Sequence, residues 1–246
     1  MIGIDSQNPP GREAGASQAR RKRIYLMRHA AVSYFDGEGR PIDPRSVPLT
    51  AEGRAQAQAA GRMLADIPFD LAVSSGLPRT IETAALVLAG RAVPLHEEPR
   101  FKEVRSGRLR EIPADELRAE VAYGYDGAHH PGRRFIGGEA WTTFAERVQA
   151  AWQDWLQRDF HHLLVVTHDA VNRVILAHAC GAGLAGVSAF EQDPACVNVL
   201  DVDVLGERVV RTLVRAICIT PYDLAKKDIH HTVMELIHET YRGSRG

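Results

Sequence analysis

Short apolar runs alternate along this chain with longer stretches of helical spacing. The run RIYLMRH (residues 23–29) has the length and composition of a buried strand. PLTAEGRAQAQAAGRMLADI (48–67) opens on Thr50, a good N-cap, and continues with periodic apolar positions, which predicts a helix. FDLAVSSG (69–76) predicts a second strand, LPRTIETAALVLAG (77–90) a helix closed by Gly90, and AVPLHEEP (92–99) a third strand.

From 101 to about 140 the pattern dissolves into Arg, Gly, Pro, Tyr and His, with one short helical piece at ADELRAEVAY (114–123). Residues 139–160 predict an amphipathic helix with Trp152 and Trp155 in its core stripe. HLLVVTH (162–168) is the most strand-like run, and DAVNRVILAHACGAG (169–183) continues it as a helix. ACVNVLDVDVL (195–205) and RVVRTLVRAICIT (208–220) predict a hairpin, followed by a partly helical tail at 221–246.

Strands alternating with helices imply an α/β fold: a three-layer α/β/α sandwich around a mainly parallel sheet. The chain shows no internal repeat. Residues 23–246 read as a single domain, with 101–140 inserted where a lid or substrate pocket commonly sits. Residues 1–22 are rich in Gly, Pro, Ser and Arg, lack an apolar core segment, and read as a disordered leader rather than a secretory signal.

Composition narrows the function classes. With 246 residues, 45% hydrophobic and 25% charged, the chain can bury a substantial core. Its formal charge of −1 gives no global attraction to nucleic acid or anionic membrane, so any anion site must be local. No segment reaches the ~20 apolar residues of a membrane span. The three cysteines, Cys180, Cys196 and Cys218, lie far apart in apolar surroundings and read as buried free thiols of a cytoplasmic protein.

Ligands in open α/β sheets bind beyond the carboxyl ends of the strands. The first strand ends Arg28-His29; the second ends Ser74-Ser75-Gly76 with Arg79 just beyond; the fourth ends Thr167-His168-Asp169. If the strands are parallel, two histidines and two arginines meet at one sheet edge. Paired guanidinium groups demand an anion, and their forks match phosphate oxygens. The start of the helix at 77–90 adds backbone N–H donors. The constellation therefore asks for a phosphoryl group, with one imidazole able to attack phosphorus. The histidine doublets His129-His130, His161-His162 and His230-His231 do not suggest a metal site, because adjacent side chains diverge.

LMRHAAVSYF (26–35), SSGLPRTIETA (74–84), FKEVRSG (101–107) and VVTHDAVNRVIL (165–176), in that order, resemble the histidine phosphatase superfamily, also called phosphoglycerate mutase-like. The resemblance spans roughly residues 23–220. It implies that His29 becomes phosphorylated, that Arg28, Arg79 and His168 hold the phosphoryl oxygens, and that Glu103 is the proton donor. Glu111 and Glu139 are the competing acids, and Arg173 falls at the family's arginine after the second histidine, or only bridges to Asp169. Two positions depart from the family pattern: Ala30 stands for a glycine, and Phe35 for an asparagine, whose hydrogen bond Ser33 would replace.

FIGGEAWTTFAERV (135–148) resembles the Gly-Gly-Glu-Ser stretch of phosphatase-type members, with Ala140 for serine. The expected activity is thus a phosphatase acting on a small phosphomonoester, needing neither metal nor cofactor. A phosphoglycerate mutase-type transferase is the alternative, and a phosphate-binding module a third reading. Arg105, Arg108, Arg110, Arg133 and Arg134 suggest an anionic substrate, whereas Tyr123, Tyr125 and Phe135 suggest a ring or apolar body. Arg105 is the substrate-binding candidate of this set; His129 and His130 fall in the lid segment, where contact with substrate is the minority reading. No nucleic-acid or membrane partner is expected, and a homodimer is compatible with the reading.

Overall fold

The computed structural model describes residues 19–38, 40, 42–227 and 229–243. Six strands form one sheet in the order β3-β2-β4-β1-β5-β6. They are β1 (Arg20–Arg28), β2 (Leu71–Ser74), β3 (Leu95–Glu97), β4 (His162–Thr167), β5 (Val197–Leu205) and β6 (Arg208–Ile219). β3, β2, β4 and β1 are mutually parallel, whereas β5 runs antiparallel to β1 and β6 closes the edge as its hairpin partner.

Among the described residues six α-helices accompany the sheet: α1 (Ala51–Met63), α2 (Pro78–Val87), α3 (Leu117–Val121), α4 (Trp141–Gln157), α5 (Asp169–Ala179) and α6 (Val233–Gly243). Alternation along the strands divides the core into two layers. Ile24 and Leu26 of β1, with Leu163 and Val165 of β4, pack against α4, α5 and the 101–140 segment. Tyr25 and Met27, with Leu164 and Val166, pack against α1 and α2. A side-chain period of two sends neighbouring residues to opposite faces, so both faces of the central strands are apolar and both must be covered.

Local chemistry accounts for the elements that carry the site. Thr50 caps α1, its hydroxyl accepting from Gly53 N at 3.0 Å. Gly53 is required by close approach, because a Cβ there would lie 2.2 Å from the carbonyl oxygen of Ala31, two residues beyond His29. Gly76, with φ +81°, turns the chain from β2 into α2, a conformation that L side chains rarely adopt.

Three expectations need correction. β1 begins at Arg20, so Arg20, Arg21 and Lys22 belong to the sheet and not to a disordered leader; residues 1–18 lie outside the described residues. Arg21 and Arg23 pair with Asp203 and Asp201 on β5, which keeps this polar stretch in the ladder. Cys180 is exposed at the end of α5, unlike Cys196 and Cys218, which are buried. Tyr125 and Phe135 of the 101–140 segment, which suggested a ring or apolar body in the substrate, are instead buried in the core with Phe101, Val121, Ile136, Trp141 and Phe144.

Candidate active site

The register of the two central strands creates the site. Arg28 of β1 lies beside Thr167 of β4, and His29 N continues the ladder by donating to Thr167 O at 2.9 Å. His29 and His168 therefore leave neighbouring parallel strands at the same level. Their ring centroids are 5.2 Å apart with the planes at 66°, and both side chains are buried.

Each imidazole has an assigned orientation. Nδ1 of His29 lies 2.8 Å from Ala30 O, an acceptor, so Nδ1 carries the proton and Nε2 keeps its lone pair. Ala30 is fully buried and its N–H donates to Thr83 Oγ1 at 3.1 Å. Its φ is not positive, so no glycine is needed at this position. For His168, Arg79 donates to Nδ1 at 3.3 Å, which leaves Nε2 to donate to Ser75 Oγ at 2.7 Å. The relay continues from Ser75 to Thr80 Oγ1 at 3.0 Å, and Thr80 donates to Leu77 O at 2.8 Å. Burial and the guanidinium of Arg79 hold both imidazoles well below the usual histidine range.

Both arginines reach the imidazoles: Arg79 donates to His168, and the charges of Arg79 and Arg28 both act on His29. Arg79 donates to Pro44 O at 2.6 Å and Arg28 to Gln192 O at 2.5 Å. Yet the Nε atoms of both are buried with no partner. An unmatched buried donor costs ~1–3 kcal/mol. Two such donors on adjacent cations, beside two neutral imidazoles, are the signature of an anion site.

Glu103 sits at the same edge. Its Oε1 accepts from Val104 N at 3.0 Å and its Oε2 from Ala170 N at 3.4 Å, with no cation in direct hydrogen-bond contact. Burial, reinforced by the nearby charge of Asp169, pushes its carboxyl up to about 7. The competing acids are placed otherwise. Glu111 is exposed and pairs with Arg108 at 3.2 Å. Glu139 is buried, accepts from Arg147 Nε at 2.9 Å, and its carboxyl is lowered, burial being outweighed by Arg147. It serves as a fastening between α4 and the 101–107 segment.

Other predicted residues lie away from the cluster. Ser33 is exposed, its hydroxyl donating to Phe35 O at 2.5 Å within its own turn. Arg105 is 78% exposed and lines a surface hollow with Arg134, Gly138, Ala140 and Thr143. His129 and His130 are exposed and stack on one another. Arg173 is a structural bridge: it donates to Asp169 and Glu191, each at 2.5 Å, and its guanidinium lies 4.1 Å from the Tyr125 ring centroid.

Several contributors were not foreseen. The carbonyls of Pro44 and Gln192 carry no side-chain signature at all. Ser75 and Thr80 stand five residues apart across the β2–α2 turn, a spacing that could have drawn attention to them. Tyr34 enters the electrostatic neighbourhood of Arg79, Arg28 and Glu103, and burial pushes its phenol up.

The histidine phosphatase superfamily (branch 1) family model matches residues 24–214. An adenosylcobalamin/alpha-ribazole phosphatase of Escherichia coli (strain K12) is 30% identical over 189 residues, covering 74% of this chain and 90% of that protein. A probable 2-carboxy-D-arabinitol-1-phosphatase of Arabidopsis thaliana is 28% identical over 73% of this chain and 38% of its own length. Among solved structures, a putative alpha-ribazole-5'-P phosphatase from Escherichia coli superposes with a TM-score of 0.64 at 25% identity, covering 80% of this chain and 96% of that one.

Proposed function

Given that the chain belongs to the histidine phosphatase superfamily and is a phosphatase, we propose that His29 is its nucleophile and that Arg28, Arg79, His168 and Glu103 complete the catalytic set. The observation that carries this reading is that Arg28 and Arg79, whose charges both act on His29, each bury an Nε donor without a partner, while the Nδ1 contact of His29 leaves its Nε2 to attack.

His29 Nε2 attacks phosphorus, forming an N–P bond as the ester P–O bond breaks. The released electron pair goes to the leaving oxygen, which takes the proton of Glu103 and departs as an alcohol. Water then attacks the phosphohistidine, giving its proton to the Glu103 carboxylate, and phosphate leaves with His29 restored. A carboxyl poised at about 7 is suited to both steps, as acid in the first and base in the second. Arg28 and Arg79 offset the charge of the equatorial oxygens throughout, the dominant contribution in phosphoryl transfer. A dianion at this point also favours the charged form of His168, which then donates to it.

The substrate is a small phosphomonoester. Tyr125 and Phe135 are committed to the core, whereas Arg105 and Arg108 stay exposed, which supports an anionic rather than an aromatic body. The described chain from Arg20 onward acts as one catalytic unit, with 101–140 forming the outer wall of the pocket. The free thiols of Cys196 and Cys218, side by side and unlinked, support a cytoplasmic location. Among the described residues no helix is long and apolar enough to cross a membrane. The mechanism uses no nucleic acid, no metal and no second copy of the chain.

The test is phosphate release from p-nitrophenyl phosphate, phosphoglycerates, sugar phosphates and alpha-ribazole phosphate by the wild type and His29→Ala. The expected result is His29-dependent release, with an acid-labile, base-stable phosphoprotein in a rapid quench. Release that survives in His29→Ala would remove His29 from the nucleophile's role.

A further inference from the structure

Asp169 follows His168 directly and opens α5, and its side chain is only 4% exposed. One oxygen, Oδ1, accepts from Arg173 Nε at 2.5 Å. The other, Oδ2, is buried with no hydrogen-bond partner, and Arg28 NH1 stands 3.9 Å from it. Leaving a buried carboxylate oxygen unmatched is costly, and an asparagine could keep the Arg173 contact without the charge. The charge itself therefore needs an explanation.

Its surroundings supply one. Glu103 Oε2 is bound to the N–H of Ala170, the next residue along. Two carboxyl groups thus share the start of α5, and their environments differ. Asp169 is ion-paired to Arg173, which is fixed in turn by Glu191, Val187 O and the Tyr125 ring. The Glu103 carboxyl has only backbone N–H partners and the more distant Arg28, while Arg147 holds the Glu103 backbone carbonyl at 3.1 Å. Close carboxylates resist joint ionisation, so the one without an ion-pair partner keeps the proton.

Resting on the catalytic assignment above, we propose that Asp169 is a positioning residue whose charge keeps the proton on Glu103, so that an acid and not a carboxylate meets the leaving oxygen. Asp169 does not itself transfer a proton; its Oδ1 is held by Arg173. The groups around Glu103 are Asp169 and the Ala170 N–H from α5, Arg28 from β1, Tyr34 from the loop after β1, Tyr125 from the insert, Arg147 from α4 at the Glu103 backbone carbonyl, and the Val104 N–H from its own segment. Of these, Asp169 is the anion that favours the protonated acid.

The test compares kcat/KM against pH for the wild type, Asp169→Asn and Asp169→Ser, on glycerol 2-phosphate and p-nitrophenyl phosphate. kcat/KM reports the step in which the leaving oxygen must be protonated, so the alkaline limb follows Glu103. Loss of the Asp169 charge should move that limb down by about one pH unit. Above the limb this is a tenfold loss on glycerol 2-phosphate, with little change on the acid side and little on p-nitrophenyl phosphate, whose leaving group needs no proton. A limb that stays in place, or an equal loss at every pH, overturns the proposal and leaves Asp169 a structural partner of Arg173. A pH-independent loss confined to glycerol 2-phosphate, with Glu103→Gln retaining activity, overturns it by making Asp169 the donor.

Carbon-13 titration of the glutamate carboxyls in the wild-type protein, with Glu103 assigned by its loss in Glu103→Gln, reads the same quantity without turnover. A Glu103 midpoint in the ordinary carboxylate range overturns the proposal even if neither Asp169 variant folds. Activity that does not depend on His29 would count against the catalytic assignment instead, while this titration still decides the role of Asp169.

Discussion

Replacing Glu103 with glutamine isolates the energetic cost of placing an acid in this site. The carboxyl rises from its ordinary 4.5 to about 7 on folding, first because of burial and then because of Asp169. A raised acid means the folded protein holds a proton that the unfolded chain has released. Its stability is therefore complete below the unfolded value and declines as pH climbs through the folded one. A tenfold change in proton affinity corresponds to about 1.4 kcal/mol, so between about pH 5 and pH 8 the wild type should lose about 2 kcal/mol that a neutral glutamine does not. For a chain of this size 1 kcal/mol moves Tm by roughly 2–4 °C. The gap between Glu103→Gln and wild type should thus widen by roughly 5 °C, in favour of the variant, on passing from the acidic to the alkaline buffer. Thermal melts of both proteins in matched buffers measure it. A gap that is the same at both pH values would refute the reasoning, because it would mean that Glu103 titrates alike in the folded and unfolded chain.

Two further outcomes follow from the hydrogen bonds around the histidines and the insert. Ser75→Ala removes the 2.7 Å partner of His168 Nε2, and steady-state assays should show kcat falling roughly tenfold with KM little changed, since orientation rather than substrate contact is lost. Glu139→Gln leaves Arg147 without its buried anion, and urea unfolding should show a loss of about 3 kcal/mol. Turnover of p-nitrophenyl phosphate per folded molecule should persist in the same variant.

How much of this was legible in the chain depends on the range of the interaction involved. β4 and the end of β1 are apolar on both faces, and burial of that kind shows in the sequence directly. The beginning of β1 does not, because Arg21 and Arg23 are strand residues only by virtue of aspartates some 180 positions away. That two histidines and two arginines meet at one sheet edge could be read from their places at or just beyond strand ends. Their hydrogen-bond partners could not, since Pro44 and Gln192 act through backbone carbonyls that any residue possesses. The insert misled in a third way. Its aromatic residues suggested a ligand-facing lid, but Tyr125, Phe135 and Trp141 pack on one another, and only the tertiary arrangement separates a core cluster from a pocket wall. Arg173 takes the bridging reading that the sequence left open, as a clamp on Asp169.

The alignment of β1 with β4 carries a consequence for how such a site can diversify. The spacing of the two imidazoles is set by the interstrand distance, ~4.8 Å in any sheet, and not by a loop that can lengthen or drift. Phosphorus therefore meets fixed hardware: altering the gap would mean breaking the ladder that also holds the molecule together. On the proposed reading, the alcohol end of the substrate would meet a different material, a segment of turns and short helices whose exposed arginines can be exchanged without disturbing a strand. Reaction type and substrate choice are thus written into separate parts of the chain, the first rigid by inheritance from the sheet, the second open to revision.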